Sequence, residues 1–87
     1  MTNKTNLLLR RLGKNIRTRR TDTNLSQAAL AAAVRISVSH LSAVERGERS
    51  ASVLCLTRIA KTLQTTTEKL CEAIDDETRQ QHGNQAK

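Results

Sequence analysis

Residues 25–48 have the sequence LSQAALAAAVRISVSHLSAVERGE, and this stretch decides the fold. It contains two short helical patterns, each preceded by a serine, Ser26 or Ser37, which is a residue type that caps helix N-termini. We therefore predict helices over 27–33 and 38–46. Because the first is rich in alanine, another helix can approach it closely, and the tight turn between the two predicts a helix-turn-helix unit.

Helical patterns also flank this unit. On its N-terminal side Leu8, Leu12 and Ile16 recur every four residues, which predicts a first helix ending near Thr21. On its C-terminal side we predict a fourth helix over 53–63, and the segment TTTE at 65–68 resembles a capping box for a fifth. The chain has no aromatic residue and no proline, and the strand-forming enrichment in aromatic and β-branched residues is missing. We therefore predict an all-α, compact five-helix fold.

A chain of 87 residues is too short to build two separate cores, so we expect one domain. The polar segment 1–6 predicts a flexible N-terminal arm, and the core-forming pattern occupies 7–75. Residues 76–87 are polar, which predicts a disordered tail.

Positive charge is concentrated near the N-terminus. The net charge is +7, from 15 Lys and Arg against 8 Asp and Glu, and residues 1–24 contain seven of these bases and one acid. This asymmetry indicates a polyanionic partner. Among the bases before the predicted helix-turn-helix, we expect one or two to reach that partner, without the sequence saying which: Lys4, Arg10, Arg11, Lys14 and Arg17.

The composition argues against several classes of function. Without aromatic residues the chain cannot stack bases as most single-strand binders do. It has no nucleophile–base pair and no glycine-rich phosphate loop, so we predict no enzyme and no cofactor. Two Cys and two His without C-x-x-C spacing predict no metal site. No apolar run approaches the ~20 residues of a membrane span, so we expect a cytoplasmic protein with Cys55 and Cys71 reduced.

One charged residue breaks the helical pattern. Arg20 continues the apolar stripe of Leu12 and Ile16, so its guanidinium is expected to point inward. A buried guanidinium needs a carboxylate partner, because an unpaired buried charge is very costly.

Four motifs together resemble the lambda repressor and Cro-like (XRE) DNA-binding domains. The resemblance covers about residues 9–74. The motifs are Leu12-Gly13-x-x-Ile16-Arg17-x-x-Arg20, Leu25-Ser26-Gln27-x-x-Leu30-Ala31, Val44-Glu45-Arg46-Gly47-x-Arg49 and Leu56-x-x-Ile59-Ala60-x-x-Leu63.

The resemblance implies a lambda-repressor-like domain whose third helix enters the major groove of double-stranded DNA, usually as a homodimer. It implies a structural ion pair between Arg20 and Glu45. The residues it places at phosphates are Gln27, Ser37 and Arg46. The residues it places at bases are Val38, Ser39 and Ala43, with His40 and Ser42 beside them.

The chain also departs from the family pattern. Arg35 stands where the turn usually has glycine, which predicts either backbone strain or a different turn. The base-contacting set has no Arg, Asn or Gln, the side chains that form bidentate contacts with base edges, so we expect modest direct readout. Arg35 and Arg49 are candidates for further phosphate contacts, and the alternative for both is a solvated surface charge.

These features predict a sequence-specific transcriptional regulator, most simply a repressor that binds a palindromic operator as a homodimer in the nucleoid. Dimerisation would use the fifth helix and Leu54. RNA polymerase is a further expected partner. The alternatives are a restriction–modification controller protein, and an antitoxin-type module that binds a toxin through the acidic segment 75–77 and the tail.

Overall fold

The computed structural model describes residues 4–71, which form five α-helices and no strand. The all-α prediction and the number of helices are confirmed. In chain order the helices are α1 (Lys4–Asp22), α2 (Gln27–Val34), α3 (Val38–Glu45), α4 (Val53–Thr62) and α5 (Thr67–Leu70).

The last four helices all begin at a hydroxyl side chain. Ser26, Ser37, Ser52 and Thr66 each accept a hydrogen bond from the backbone N–H three residues further on, at 3.0–3.1 Å. Each cap satisfies one of the N–H groups that a helix leaves without a partner in its first turn. The starts of α2 and α3, on which the helix-turn-helix depends, are therefore encoded locally.

Four described residues have a left-handed backbone, Asn24, Arg35, Gln64 and Gly47, and two of them flank α3. Arg35 follows α2 with φ 65°, so the turn at which the family resemblance implied a glycine is made with the steric strain of a Cβ. Gly47 follows α3 with φ 77°, and a Cβ at this position would collide with the backbone of Arg10. Only glycine satisfies both the conformation and the space at position 47.

The core consists of aliphatic side chains together with the thiol of Cys55. Its largest fully buried members come from α1, α2, α3 and α4 together with the residue that ends α4: Ile16, Leu30, Val34, Leu41, Val44, Ile59 and Leu63. Gly13 lets α1 approach α3, because a Cβ there would collide with the backbone carbonyls of Val44 and Glu45. The C-terminal part of α1 is tied to the last helices by side chains that reach backbone oxygens: Asn15 donates to Leu70, and Arg19 to Leu63 and Gln64.

Some predicted boundaries differ from the observed ones. The first helix begins at Lys4, inside the segment 1–6 that we expected to be a flexible arm. The reason is that no proline or glycine interrupts the chain between this residue and Leu9, so the helix continues backwards from its buried part. Residues 1–3, the predicted tail 76–87 and the acidic segment 75–77 lie outside the described residues.

No helix between residues 4 and 71 is by itself long and apolar enough to cross a membrane. Only α2 and α3 taken together reach that composition, across a bend of 109°.

Arg35→Gly should stabilise the protein. Glycine removes the steric strain of a left-handed residue, and this gain is partly offset by the greater freedom of glycine in the unfolded chain, leaving about 0.5–1 kcal/mol. Urea unfolding measures the change.

The matched control for this substitution is Arg35→Ala, which removes the same side chain but keeps the Cβ. Equal stability of the glycine and alanine variants would contradict the assignment of strain to this turn.

Candidate nucleic-acid interface

A buried ion pair fixes the end of α1 against the end of α3. Arg20 donates from Nε to Glu45 Oε2 at 2.7 Å and from Nη2 to Oε1 at 3.1 Å, and the two side chains are 11% and 2% exposed. The pair therefore has the bidentate geometry in which arginine binds carboxylates most strongly. These are the two residues for which the family resemblance implied an ion pair.

The same pair reaches the beginning of α2. Arg20 Nη1 donates to the backbone oxygen of Leu25 at 2.8 Å, and Gln27 Nε2 donates to Glu45 Oε1 at 3.0 Å. No buried side-chain nitrogen or oxygen within residues 4–71 lacks a hydrogen-bond partner. Because three helix ends meet at these side chains, the orientation of α2 and α3 relative to α1 is fixed without an uncompensated buried charge.

The two helices of the helix-turn-helix, α2 and α3, meet at a steep angle. As a result, α3 has an inner face against the core and an outer face towards solvent. The two helices are bent by 109°, and Leu41 and Val44 on the inner face of α3 are buried against the core. The outer face carries small side chains: Val38 is 45% exposed, Ser39 is exposed and Ala43 is half-buried. His40 and Ser42 lie beside them, both half-buried. Such a face lets the helix backbone come close to a groove.

An open depression of about 490 Å³ lies where α1, α2 and α3 meet. Besides the Arg20–Glu45 pair, its lining consists of Arg17, Ser26, Gln27, Ser42 and Arg46. It includes the N-cap and first residue of α2, where unpaired backbone N–H groups and the helix dipole favour an anion. The combination of two arginines with a helix N-terminus suits a phosphate group.

The sequence did not distinguish Arg17 from the other bases of α1. The structure places it at the depression, whereas no such position is found for Arg10, Arg11 or Lys14. The available signal was its spacing, since it lies three residues before Arg20 and so nearly above it on the helix.

Arg46 is exposed at the end of α3 and holds an acid of its own chain. Its Nε and Nη2 donate to Glu48 Oε2 and Oε1, both at 3.0 Å, and its Nη1 donates to Ser42 Oγ. Hydrogen bonding, with charge attraction adding to it, lowers the pKa of the Glu48 carboxyl and raises the pKa of Arg46. No sequence pattern predicted this contact.

The remaining candidate phosphate residues lie around the two ends of α3. Ser37 caps the helix, and its hydroxyl accepts from His40 N–H at 3.0 Å. Arg35 is exposed in the turn before α3, and Arg49 is exposed in the linker after it. The structure therefore places the predicted base and phosphate residues on α3 and its two flanks, except for Gln27, which begins α2 and contacts Glu45 at the end of α3.

Neither cysteine lies among the candidate DNA-contacting residues. Cys55 is buried in α4, and burial raises the pKa of its thiol despite the opposing charge of Arg58, which makes the reactive thiolate scarce. Cys71 is half-buried and directly follows α5. Within the described part of the chain, no three His, Cys, Asp or Glu side chains are grouped so that they could hold a metal ion.

Comparisons with known proteins agree with this arrangement. A family model described as helix-turn-helix matches residues 16–70. A search of curated proteins finds no match.

Among solved structures, the chain is similar to the clp gene regulator ClgR from Corynebacterium glutamicum, with 25% identity and a TM-score of 0.78 over 91% of this chain and 84% of that one. It is also similar to the restriction-modification controller protein C.AhdI from Aeromonas hydrophila, with 32% identity and a TM-score of 0.69 over 71% of this chain and 94% of that one.

Glu45→Ala should destabilise the protein by about 3–5 kcal/mol, because it leaves the Arg20 guanidinium buried without its carboxylate. Urea unfolding measures the loss.

Glu48→Ala is the matched control for this substitution. It removes a carboxylate from an arginine pair that is exposed to solvent, so stability should stay close to that of the unsubstituted protein. An equally small loss for Glu45→Ala would show that the Arg20 pair does not hold the helices together.

Proposed function

This chain belongs to the helix-turn-helix family, and from this membership we propose that it represses transcription as a homodimer bound to a two-fold-related operator. The coarser function is established by the family and by the similar regulators: the chain is a DNA-binding transcriptional regulator. The observation that supports the finer proposal is the outer face of α3, which is exposed at Val38 and Ser39, half-buried at Ala43, and flanked by Arg35 and Arg46.

In the proposed complex α3 lies in the major groove, which is ~12 Å wide. Val38 and Ala43 would contact thymine methyl groups, and Ser39 would hydrogen-bond to base edges. His40 and Ser42 would contact neighbouring bases. These side chains discriminate weakly compared with bidentate Arg, Asn or Gln, so DNA shape is expected to contribute to specificity.

Phosphate contacts would supply much of the affinity. We assign them to Gln27, Ser37 and Arg46, with Arg35 and Arg49 at the outer edges of the interface. The depression where α1, α2 and α3 meet would receive a phosphate. Arg17 would be an additional cation there, which the sequence alone did not distinguish from the other bases of α1. Each such contact releases a condensed counterion, so binding should weaken as salt rises.

We assign dimerisation to the beginning of α4 together with α5. Val53 and Leu54 are 83% and 60% exposed, and two apolar side chains this open are most simply covered by a second copy of the chain. A two-fold dimer presents two copies of α3 to two half-sites, which is why we propose a palindromic operator. Repression would follow from occlusion of a promoter, and an operator would place the protein in the nucleoid.

A controller of a restriction–modification system is the second candidate. It is favoured by the 32% identity to C.AhdI, which the chain covers over 94% of its length. Both candidates are operator-binding regulators, so they differ in the regulated genes. A methyltransferase or restriction gene beside this one would favour the controller.

Selection from random duplex DNA at ~150 mM salt tests the proposed function. We expect a two-fold-related motif whose half-sites are about one helical turn, or a multiple of it, apart. A pool without enrichment, together with binding that disappears as salt rises, would leave only non-specific electrostatic attraction and contradict an operator-binding role.

Arg46→Ala should lower the affinity for all duplexes and flatten the dependence of log K on log salt by about one unit per subunit, since one phosphate contact is lost. Fluorescence anisotropy across a salt series measures both quantities.

Ser39→Ala is the complementary control, because it should change the selected motif while leaving the salt dependence in place. An unchanged salt slope for Arg46→Ala would remove Arg46 from the phosphate contacts, and an unchanged motif for Ser39→Ala would remove Ser39 from the base contacts.

A further inference from the structure

In the DNA-free chain, the guanidinium of Arg46 already donates hydrogen bonds to Glu48 and Ser42. Glu48 binds it edge-on through Nε and Nη2, each at 3.0 Å, and Ser42 Oγ accepts from Nη1. All three nitrogens therefore have an acceptor within the chain. The carboxylate uses the same bidentate geometry in which arginine binds a phosphate, so Glu48 occupies one of the edges that a phosphate would use.

The exposure of this pair indicates that it can be exchanged. The side chains of Arg46 and Glu48 are 55% and 60% exposed, whereas those of Arg20 and Glu45 are 11% and 2% exposed. Opening a buried pair leaves uncompensated charges, but an exposed pair contributes little and both groups regain water when it opens. The Arg46–Glu48 contact is therefore strong enough to form and weak enough to be replaced.

The position of the pair matters as much as its strength. Arg46 lines the depression that also contains Arg17 and Gln27, at the surface we assign to the DNA backbone. A carboxylate held at this surface cancels one of its positive charges. Once displaced by a phosphate, the carboxylate would also stand close to a charge of the same sign.

We propose that Glu48 is an internal competitor for the phosphate contact of Arg46, and that DNA displaces its carboxylate on binding. The proposal rests on the proposed function, since it requires Arg46 to bind a backbone phosphate. Glu48 acts through Arg46 and does not itself contact the DNA. Its effect is to keep the affinity for every duplex below the value that the arginines alone would give.

Glu48→Gln in the full chain tests this proposal. The glutamine keeps the size of the side chain but no longer offers a charged bidentate acceptor, so Arg46 becomes available to phosphate. We expect the affinity for a fixed duplex, measured by fluorescence anisotropy at constant salt, to rise by about two- to fivefold per bound subunit beyond the control.

The matched control is Asp22→Asn, which removes the same charge from the exposed last residue of α1, a residue to which we assign no contact with DNA or with a second copy. Because both variants raise the net charge by one unit, the control reports the general effect of charge on DNA attraction. An equal gain in the two variants would overturn the proposal.

A second comparison isolates the role of Arg46. In an Arg46→Ala background no pair has to be opened, so Glu48→Gln should increase the affinity less than it does in the unsubstituted chain. A gain of equal or greater size without Arg46 would show direct repulsion between Glu48 and DNA instead of competition. A loss of affinity in the Glu48→Gln single variant would show that Glu48 orients Arg46 for phosphate, and it too would overturn the proposal.

DNA binding by the unsubstituted chain distinguishes a failure of the operator-binding role from a failure of the competition between Glu48 and phosphate. If the unsubstituted chain binds no duplex even at low salt, both the operator-binding role and the proposed competition are wrong. If it binds and Glu48→Gln behaves like Asp22→Asn, the operator-binding role stands and only the competition is wrong. Urea unfolding of each variant checks that the fold is retained.

Discussion

The buried pair between Arg20 and Glu45 is the constraint on which the rest of the structure depends. It is the place where the end of α1, the start of α2 and the end of α3 meet, and its acceptors and donors are satisfied by Leu25 and Gln27 as well as by each other. A small aliphatic core without aromatic side chains orients helices only loosely, because aliphatic contacts are not directional. A bidentate pair with fixed geometry adds the direction that such contacts lack, and so sets how far α3 projects from the domain.

Two glycines permit this arrangement by bringing α1 and α3 into backbone contact. At Gly13 the carbonyls of Val44 and Glu45 leave no room for a Cβ, and at Gly47 the backbone of Arg10 does the same. The ion pair therefore acts between helices that are already as close as their backbones allow. The ion pair reaches the end of α3 from the end of α1, and the glycine contacts reach that same end from the middle of α1, so α1 holds α3 at two places along its own length.

The sequence predicted most of the fold because its signals are local. The serine caps at Ser26 and Ser37 mark helix starts within one turn, and Arg20 stood out by continuing an apolar stripe. The partner of Arg20 is 25 residues away, and only the resemblance to a family identified it as Glu45. The early start of α1 was missed because a polar segment without helix breakers carries no boundary signal.

The part of the candidate site that sequence could not predict is the part that depends on side-chain geometry. Arg17 was one of several bases in α1, and only the meeting of three helix ends places it at the depression. The pairing of Arg46 with Glu48 is equally hidden, since residues two apart do not face each other along a helix. They meet here because the chain turns at Gly47, with its left-handed backbone, immediately between them.

That pairing bears on how much of the proposed DNA affinity is common to all sequences. The outer face of α3 offers valine, alanine and serine, which separate one base pair from another by little, while residues 1–24 carry most of the excess positive charge of the chain. Phosphate attraction is the same for every duplex, so it fills non-specific sites as readily as operators. In the proposed complex, a carboxylate at Arg46 lowers this common attraction without touching the base contacts. Because the affinities for the operator and for non-specific DNA then fall by the same factor, the preference between them stays with the proposed base contacts of α3 and with DNA shape.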